Sequence, residues 1–138
     1  MKTLNPYINF AGRCQEALSF YENALNGKVI MRQTFGQAPT AAPGMNPALI
    51  MHAEFQAEGI YFMATDGMAP ESPASSNLIT LNIGFSDLDE QQSVFNALKN
   101  GGEEIMPLND TFWRARFGIV KDPFGVHWML NCQISKDA

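Results

Sequence analysis

Two copies of one pattern of helix and strands make up this chain, and this duplication limits its fold more than any other feature. Each copy contains a helical segment that follows a strand and ends at glycine. The first helix is predicted over residues 14–26 before Gly27, and the second over residues 89–100 before Gly101. Asp87 is placed to cap the second helix. The two helices therefore mark equivalent points of two modules.

The last strand of each copy supports the same duplication, since residues 59–64 match residues 125–130. The matches occur in the same order in both halves, which predicts two β-α-β-β-β modules. Module one is predicted at about residues 1–66 and module two at about residues 77–134. A linker rich in Gly, Pro and Ser joins them over about residues 67–76.

The length of 138 residues suits a single domain with a real hydrophobic core. We therefore predict one α+β domain over residues 1–138. In this fold the modules form a curved mixed sheet, mostly antiparallel, around a cleft, with the helices outside. A second long loop, over residues 36–47, is either a lid or a plain surface loop.

Composition excludes several classes of partner. The net charge is −5 and no basic stripe is present, which argues against nucleic acid. No apolar run approaches the length of a membrane span, and the N-terminus lacks the apolar region of a signal peptide. We therefore expect a cytoplasmic protein that does not bind membranes. Cys14 and Cys132 are predicted to be free structural thiols.

A β-hairpin is predicted near the C-terminus, where Asp-Pro-Phe-Gly over residues 122–125 separates two alternating runs. The segment over residues 113–128, together with residues 5–10 and 17–21, resembles the PhnB-like branch of the glyoxalase/bleomycin-resistance superfamily. The resemblance spans nearly the whole chain and implies paired modules around a cleft. It also implies a homodimer. Arg114 departs from the motif, which normally has Gly there.

The resemblance also implies where a catalytic metal would lie. In metal-using members each module supplies one ligand from its first strand and one from near the end of its last strand, with His, Glu or Gln as donors. The residues at these positions here are Met63 and Met129 on the last strands, with Thr80 and Pro6 (or Asn5 or Tyr7) on the first strands. Thioethers are poor ligands for hard divalent ions. We therefore predict no metal site and no cofactor.

Alternation along the strands predicts which side chains line the cleft. On the last strand of module two, Trp128 and its alternate neighbours pack on the helix, which leaves His127 and Met129 on the other face. Arg116 occupies the place of the Arg in the family motif and could bind a carboxylate, phosphate or phosphonate. The predicted ligand-binding residues are Tyr7, Tyr61, Met63, Trp113, Arg116, His127 and Met129.

The favoured function is a small-molecule binding protein without the usual metal. One alternative is an enzyme acting on a small polar or anionic substrate, with His127 or His52 as base and Glu54 or Tyr61 as the second acid or base. Another alternative is a drug-sequestering protein of the resistance type. Members of this branch have been called methyltransferases, but the sequence contains no recognisable S-adenosylmethionine motif.

Overall fold

Two compact units, Met1–Ala74 and Ser75–Ala138, make up the protein. The structure, a computed structural model, describes residues 1–38, 44–67, 78–111 and 114–134. The first unit contains β1 (Tyr7–Asn9), α1 (Cys14–Ala24), β2 (Lys28–Thr34), β3 (Ile50–Ala57) and β4 (Ile60–Thr65). The second contains β5 (Leu81–Phe85), α2 (Leu88–Lys99), β6 (Glu103–Asp110), β7 (Ala115–Lys121) and β8 (His127–Gln133). The predicted α+β fold with two β-α-β-β-β modules is confirmed.

Each unit has its own mixed four-stranded sheet, with orders β1-β4-β3-β2 and β5-β8-β7-β6. The first strand of each unit runs parallel to the last strand, and the other pairs are antiparallel. Residues 68–76 of the predicted linker and residues 39–43 of the predicted second loop lie outside the described residues. No helix in the described part of the chain is long and apolar enough to cross a membrane.

One face of the first sheet packs on α1. The apolar side chains of α1 recur at positions 14, 17, 18 and 21, which places them on one side of a helix, and all are buried. They meet an aromatic cluster in which the rings of Phe55 and Phe62 stack with centroids 4.8 Å apart. The ring of Tyr21 packs edge-on against Phe62 at 5.5 Å. This cluster forms the core of the first unit.

The end of α1 differs in detail from the prediction. The residue with left-handed backbone is Asn26, at φ +54°, and the Gly27 N–H closes the helix on the carbonyl of Glu22. Gly27 is required for another reason: a side chain has no room there, since a Cβ would lie 2.6 Å from the ring of Phe55. In the second unit the predicted features hold: Asp87 accepts the Asp89 N–H, and Gly101 has φ +83°.

Buried carboxylates organise a turn or helix start in each unit. Asp66 accepts the backbone N–H groups of Gly12 and Cys14 at the start of α1, both at 2.8 Å, and that of Ile50. In the predicted hairpin, Asp122 accepts two N–H groups of its own turn and the indole N–H of Trp128. Each carboxylate therefore satisfies backbone or ring donors that would otherwise be buried without partners.

Both predicted free thiols are buried and unbridged. Burial, followed by the nearby charge of Asp66, raises the pKa of the Cys14 thiol to about 12. A buried thiol with so high a pKa is a structural group rather than a nucleophile.

Candidate functional site

The face of the first sheet opposite α1 carries a group of polar and aromatic side chains, and we call it the open face of unit 1. On β4, Phe62 and Ala64 are buried towards α1, so Tyr61 and Met63 lie on the opposite face. Strand register places the remaining members on the same face. The open face of unit 1 includes Tyr7, Met31, Gln33, His52, Glu54, Tyr61 and Met63, and the same register places Lys28, Gln56 and Thr65 on it.

Four side chains on this face form a connected polar network. The hydroxyl of Tyr61 donates to Oε1 of Glu54 at 3.0 Å. The other carboxylate oxygen, Oε2, lies 3.7 Å from Nε2 of His52. On the far side of the imidazole, Nδ1 lies 3.4 Å from the hydroxyl of Tyr7. The rings of Tyr7 and His52 meet edge to face, with centroids 5.6 Å apart. The network therefore joins strands β1, β3 and β4.

The hydrogen bond of this network that Tyr61 donates is accepted by Glu54. An ionised carboxylate only accepts hydrogen bonds, so the Tyr61 hydroxyl is the donor. Assigning the imidazole proton to Nε2 of His52 directs it at the carboxylate and leaves Nδ1 to accept from Tyr7. Partial burial, followed by the hydrogen bond and charge of Glu54, raises the pKa of the Tyr61 phenol. Tyr61 therefore stays protonated at neutral pH and keeps the carboxylate in place.

These groups are accessible to a small molecule without being fully hydrated. The side chains of His52 and Glu54 are 26% and 30% exposed, and Tyr7 is 55% exposed. No lysine or arginine pairs with Glu54 within the described ranges. The negative charge of Glu54 is thus partly desolvated and has no permanent counter-charge beside it.

Five residues singled out from the sequence meet on this one face. Tyr7, Tyr61 and Met63 were predicted to bind ligand, and His52 and Glu54 were named as weak acid or base candidates. Met31 and Gln33, on the neighbouring edge strand, were missed. The signal that could have found them is the pairing of β2 with β3, which places Met31 opposite Glu54 and Gln33 opposite His52.

The predicted residues of the second unit lie on a different surface. His127 and Met129 lie on the face of the second sheet opposite α2, beside Lys121 and Ile119 of β7. We call this surface the open face of unit 2. The Nδ1 atom of His127 is buried and has no hydrogen-bond partner among the residues that the structure describes. His127 therefore belongs to no acid-base network there.

Arg116 lies on the opposite face of its sheet, against α2. Its Nε donates to Oε1 of the fully buried Gln91 at 2.8 Å, and the Gln91 amide donates back to the Arg116 carbonyl. A second guanidinium nitrogen donates to the Leu88 carbonyl. Arg116 therefore lies on the helix side of the sheet, whereas His127 and Met129, predicted with it as ligand-binding residues, lie on the open face of unit 2. Its role as an anion-binding residue stays a prediction.

Arg114, which departs from the family motif, lies just outside the strand that carries Arg116. β7 begins at Ala115, and Arg114 lies before it with left-handed backbone, at φ +62°. The strand alternation that would align the two side chains therefore does not extend to Arg114. The predicted stacking residue Trp113 lies outside the described residues.

The donors at the superfamily's metal positions do not fit a divalent metal. Strand register pairs Met63 with Tyr7, one of the three alternatives predicted for the first strand, and pairs Met129 with Asn82 in place of the predicted Thr80. Each pair combines a soft thioether with a neutral phenol or amide, whereas hard divalent ions prefer carboxylate and imidazole donors. Within the described part of the chain, no three His, Cys, Asp or Glu side chains are grouped to hold a metal ion.

Two modules of this topology define the class of protein. A glyoxalase/bleomycin resistance protein/dioxygenase from Alicyclobacillus acidocaldarius matches 97% of this chain and 92% of its own, with a TM-score of 0.62 and 15% identity. At that identity the likeness is one of fold. The chain thus has the fold of the glyoxalase/bleomycin-resistance superfamily.

Closer matches identify the family. The chain belongs to the PhnB-like family described as 3-demethylubiquinone-9 3-methyltransferase, whose model matches residues 2–131. Protein YjdN of Escherichia coli K12 is 33% identical over 138 residues, which cover 93% of each chain. The crystal structure of protein PA1353 from Pseudomonas aeruginosa is 34% identical, covers 96% and 98% of the two chains, and has a TM-score of 0.84. The PhnB-like resemblance is confirmed, while a family's name does not by itself establish the activity of this chain.

Proposed function

We propose that the protein binds a small polar organic molecule on the open face of unit 1. The observation that carries this proposal is the network from Tyr61 through Glu54 and His52 to Tyr7. Placing a half-buried carboxylate and an imidazole side by side costs solvation, and the two groups do not fill the core of the unit. Positioned polar groups beside apolar and aromatic ones are typical of ligand sites.

The side chains around the network supply complementary contacts. Met31 and Met63 flank Glu54 on the neighbouring strands, and thioethers adapt to irregular ligand surfaces. The exposed ring of Tyr7 offers an aromatic face and a hydroxyl. A ligand with an apolar body and a few polar groups would therefore meet a partner for each part.

A fragment screen tests this proposal. Small polar and planar compounds would be screened by ligand-observed NMR, and hits would be mapped by amide shifts of the labelled protein. We expect the shifts to concentrate in β1, β3 and β4, and Tyr7→Ala to weaken the hits. His127→Gln on the open face of unit 2 is the matched control and should leave them unchanged. Hits that map only to β5, β7 and β8, or a screen without hits, would contradict the proposal.

A second candidate function is acid-base catalysis at the same site. The observation that favours it is the placement of His52 between the Tyr7 hydroxyl and the Glu54 carboxylate, which puts a group suited to general acid-base catalysis on this face. Hits from the screen would be incubated with the protein and followed by NMR for product. An enzyme should lose turnover and keep binding in His52→Gln, whereas absence of product with every hit would leave the binding function alone.

A further inference from the structure

One row of three side chains across the open face of unit 1 changes in chemistry from one end to the other. Register places Glu54 opposite Met63, and Met63 opposite Tyr7, so the three side chains cross strands β3, β4 and β1 in a line. In order, the three side chains are a carboxylate, a thioether and a phenol. Two strand spacings separate its ends, about 10 Å.

Each position of the row favours a different part of one ligand. Glu54 is a half-buried carboxylate that pairs with no lysine or arginine among the described residues and has the His52 imidazole 3.7 Å away, beyond hydrogen-bond distance, so it would attract a cation. Tyr61 uses one lone pair of the carboxylate, and an ionised carboxylate has about four acceptor positions. Met63 offers a polarisable surface for an aromatic ring, and Tyr7 offers an aromatic edge or face.

We propose that the ligand of this site is an organic amine in its protonated form, with an aromatic ring a few bonds from the nitrogen. This inference rests on the proposed function and names its ligand class. The ammonium group would hydrogen-bond to Glu54, and the ring would lie over Met63, beside the His52 imidazole that stands between Glu54 and Tyr7. The net charge of −5 would favour the approach of such a cation.

The second unit provides an internal comparison for this row. The equivalent row there is Ile119, Met129 and Asn82, by the same register. It keeps the methionine but has neither the carboxylate nor the phenol. An amine should therefore have no reason to prefer the open face of unit 2.

Matched probes test the inference. Binding of tryptamine would be compared with that of tryptophol, its neutral alcohol counterpart, and of indole-3-propionate, an anion with the same ring. We expect tryptamine to bind about tenfold more tightly than tryptophol, the effect of one charge-assisted hydrogen bond, and indole-3-propionate to bind least. Phenethylamine and 2-phenylethanol repeat the comparison with a smaller ring.

Variants assign the effect to Glu54. Glu54→Gln should remove most of the preference for tryptamine over tryptophol, and Glu54→Asp should keep part of it. Glu58→Gln, in the exposed β3–β4 turn, removes the same charge away from the row and should leave the preference unchanged. Amide spectra of each variant show whether it is folded. If Glu54→Gln does not fold, the ratio of tryptamine to tryptophol affinity in the wild type decides whether the site prefers an amine.

The outcomes separate this inference from the proposed function. Equal binding of tryptamine and tryptophol on β1, β3 and β4, or tighter binding of indole-3-propionate there, would overturn the amine and leave the proposed site intact. An amine preference unchanged in folded Glu54→Gln would also overturn it. If no probe or screened fragment binds to this face, both proposals fail.

Discussion

The open faces of the two units share a topology and a strand register but not a chemistry. In unit 1 the face carries a network of two tyrosines, a histidine and a glutamate. In unit 2 the positions equivalent to Glu54 and Tyr7 are Ile119 and Asn82, and the position equivalent to Tyr61 is His127. The helix-facing sides are alike, since Phe62 and Trp128 are buried at matching positions. Packing constrains the core side of each sheet, which leaves the open face as the surface where function can change.

The units also differ in the buried polar groups that hold their helices, and removing these groups should produce the largest effects. Asp66→Ala would leave three backbone N–H groups without their acceptor at the start of α1 and β3. We expect a loss of about 3 kcal/mol or more in the free energy of unfolding. Chemical denaturation measures it. Asp87→Ala, which removes one exposed cap, is the control and should cost about 1 kcal/mol. Equal losses in the two variants would show that Asp66 is not a structural anchor.

A smaller effect is expected from Arg116→Ala in the second unit. The change leaves the buried Oε1 of Gln91 without its donor and loosens the contact between α2 and β7. We expect a loss of about 2 kcal/mol in unfolding free energy, with ligand binding on the open face of unit 1 unchanged. Denaturation and the fragment titration measure the two effects. Loss of a ligand without loss of stability would instead assign Arg116 to binding.

Cys14 should give the first unit a sensitivity to alkaline pH. Its pKa is raised from 9.0 to about 12 in the folded protein, so the unfolded thiol ionises first. The thiol favours folding fully below pH 9.0, and this contribution falls as pH rises towards 12. One pH unit above 9 the loss is about 1.4 kcal/mol. Unfolding free energies at pH 8 and 10 for wild type and Cys14→Ala check this, because the variant should show a smaller decline by that amount. Parallel declines would contradict it.

The smallest stability effects are expected from substitutions on the two open faces, and these substitutions should differ in their effect on ligand binding. His127→Phe removes a buried ring nitrogen without a partner, so stability should change by less than about 1 kcal/mol or increase. His52→Phe breaks the contacts to Tyr7 and Glu54, costs a similar small amount, and should weaken the binding of tryptamine. Thermal unfolding and the tryptamine titration compare the two. If His127→Phe alone abolishes binding, the functional assignment of the two faces must be reversed.

Local features of the chain were predictable because their causes lie within a few residues. The Asp87 cap and the 122–125 hairpin turn follow from backbone geometry over one turn. The end of α1 was less predictable. Gly27 suggested a left-handed position, yet Asn26 has that backbone, and Gly27 is required by the ring of Phe55 from another strand. That requirement is invisible until the two segments pack.

Sequence alone determined that the chain contains two β-α-β-β-β modules and which side chains alternate along each strand. Periodicity and turn chemistry are properties of neighbouring residues, so they can be recognised without a fold. Only the tertiary structure decided that His52 lies beside Tyr7, a residue 45 positions away, and that Arg116 bonds Gln91 on the helix side. Such contacts depend on strand register and on which face a helix covers, and these are settled by packing between distant segments.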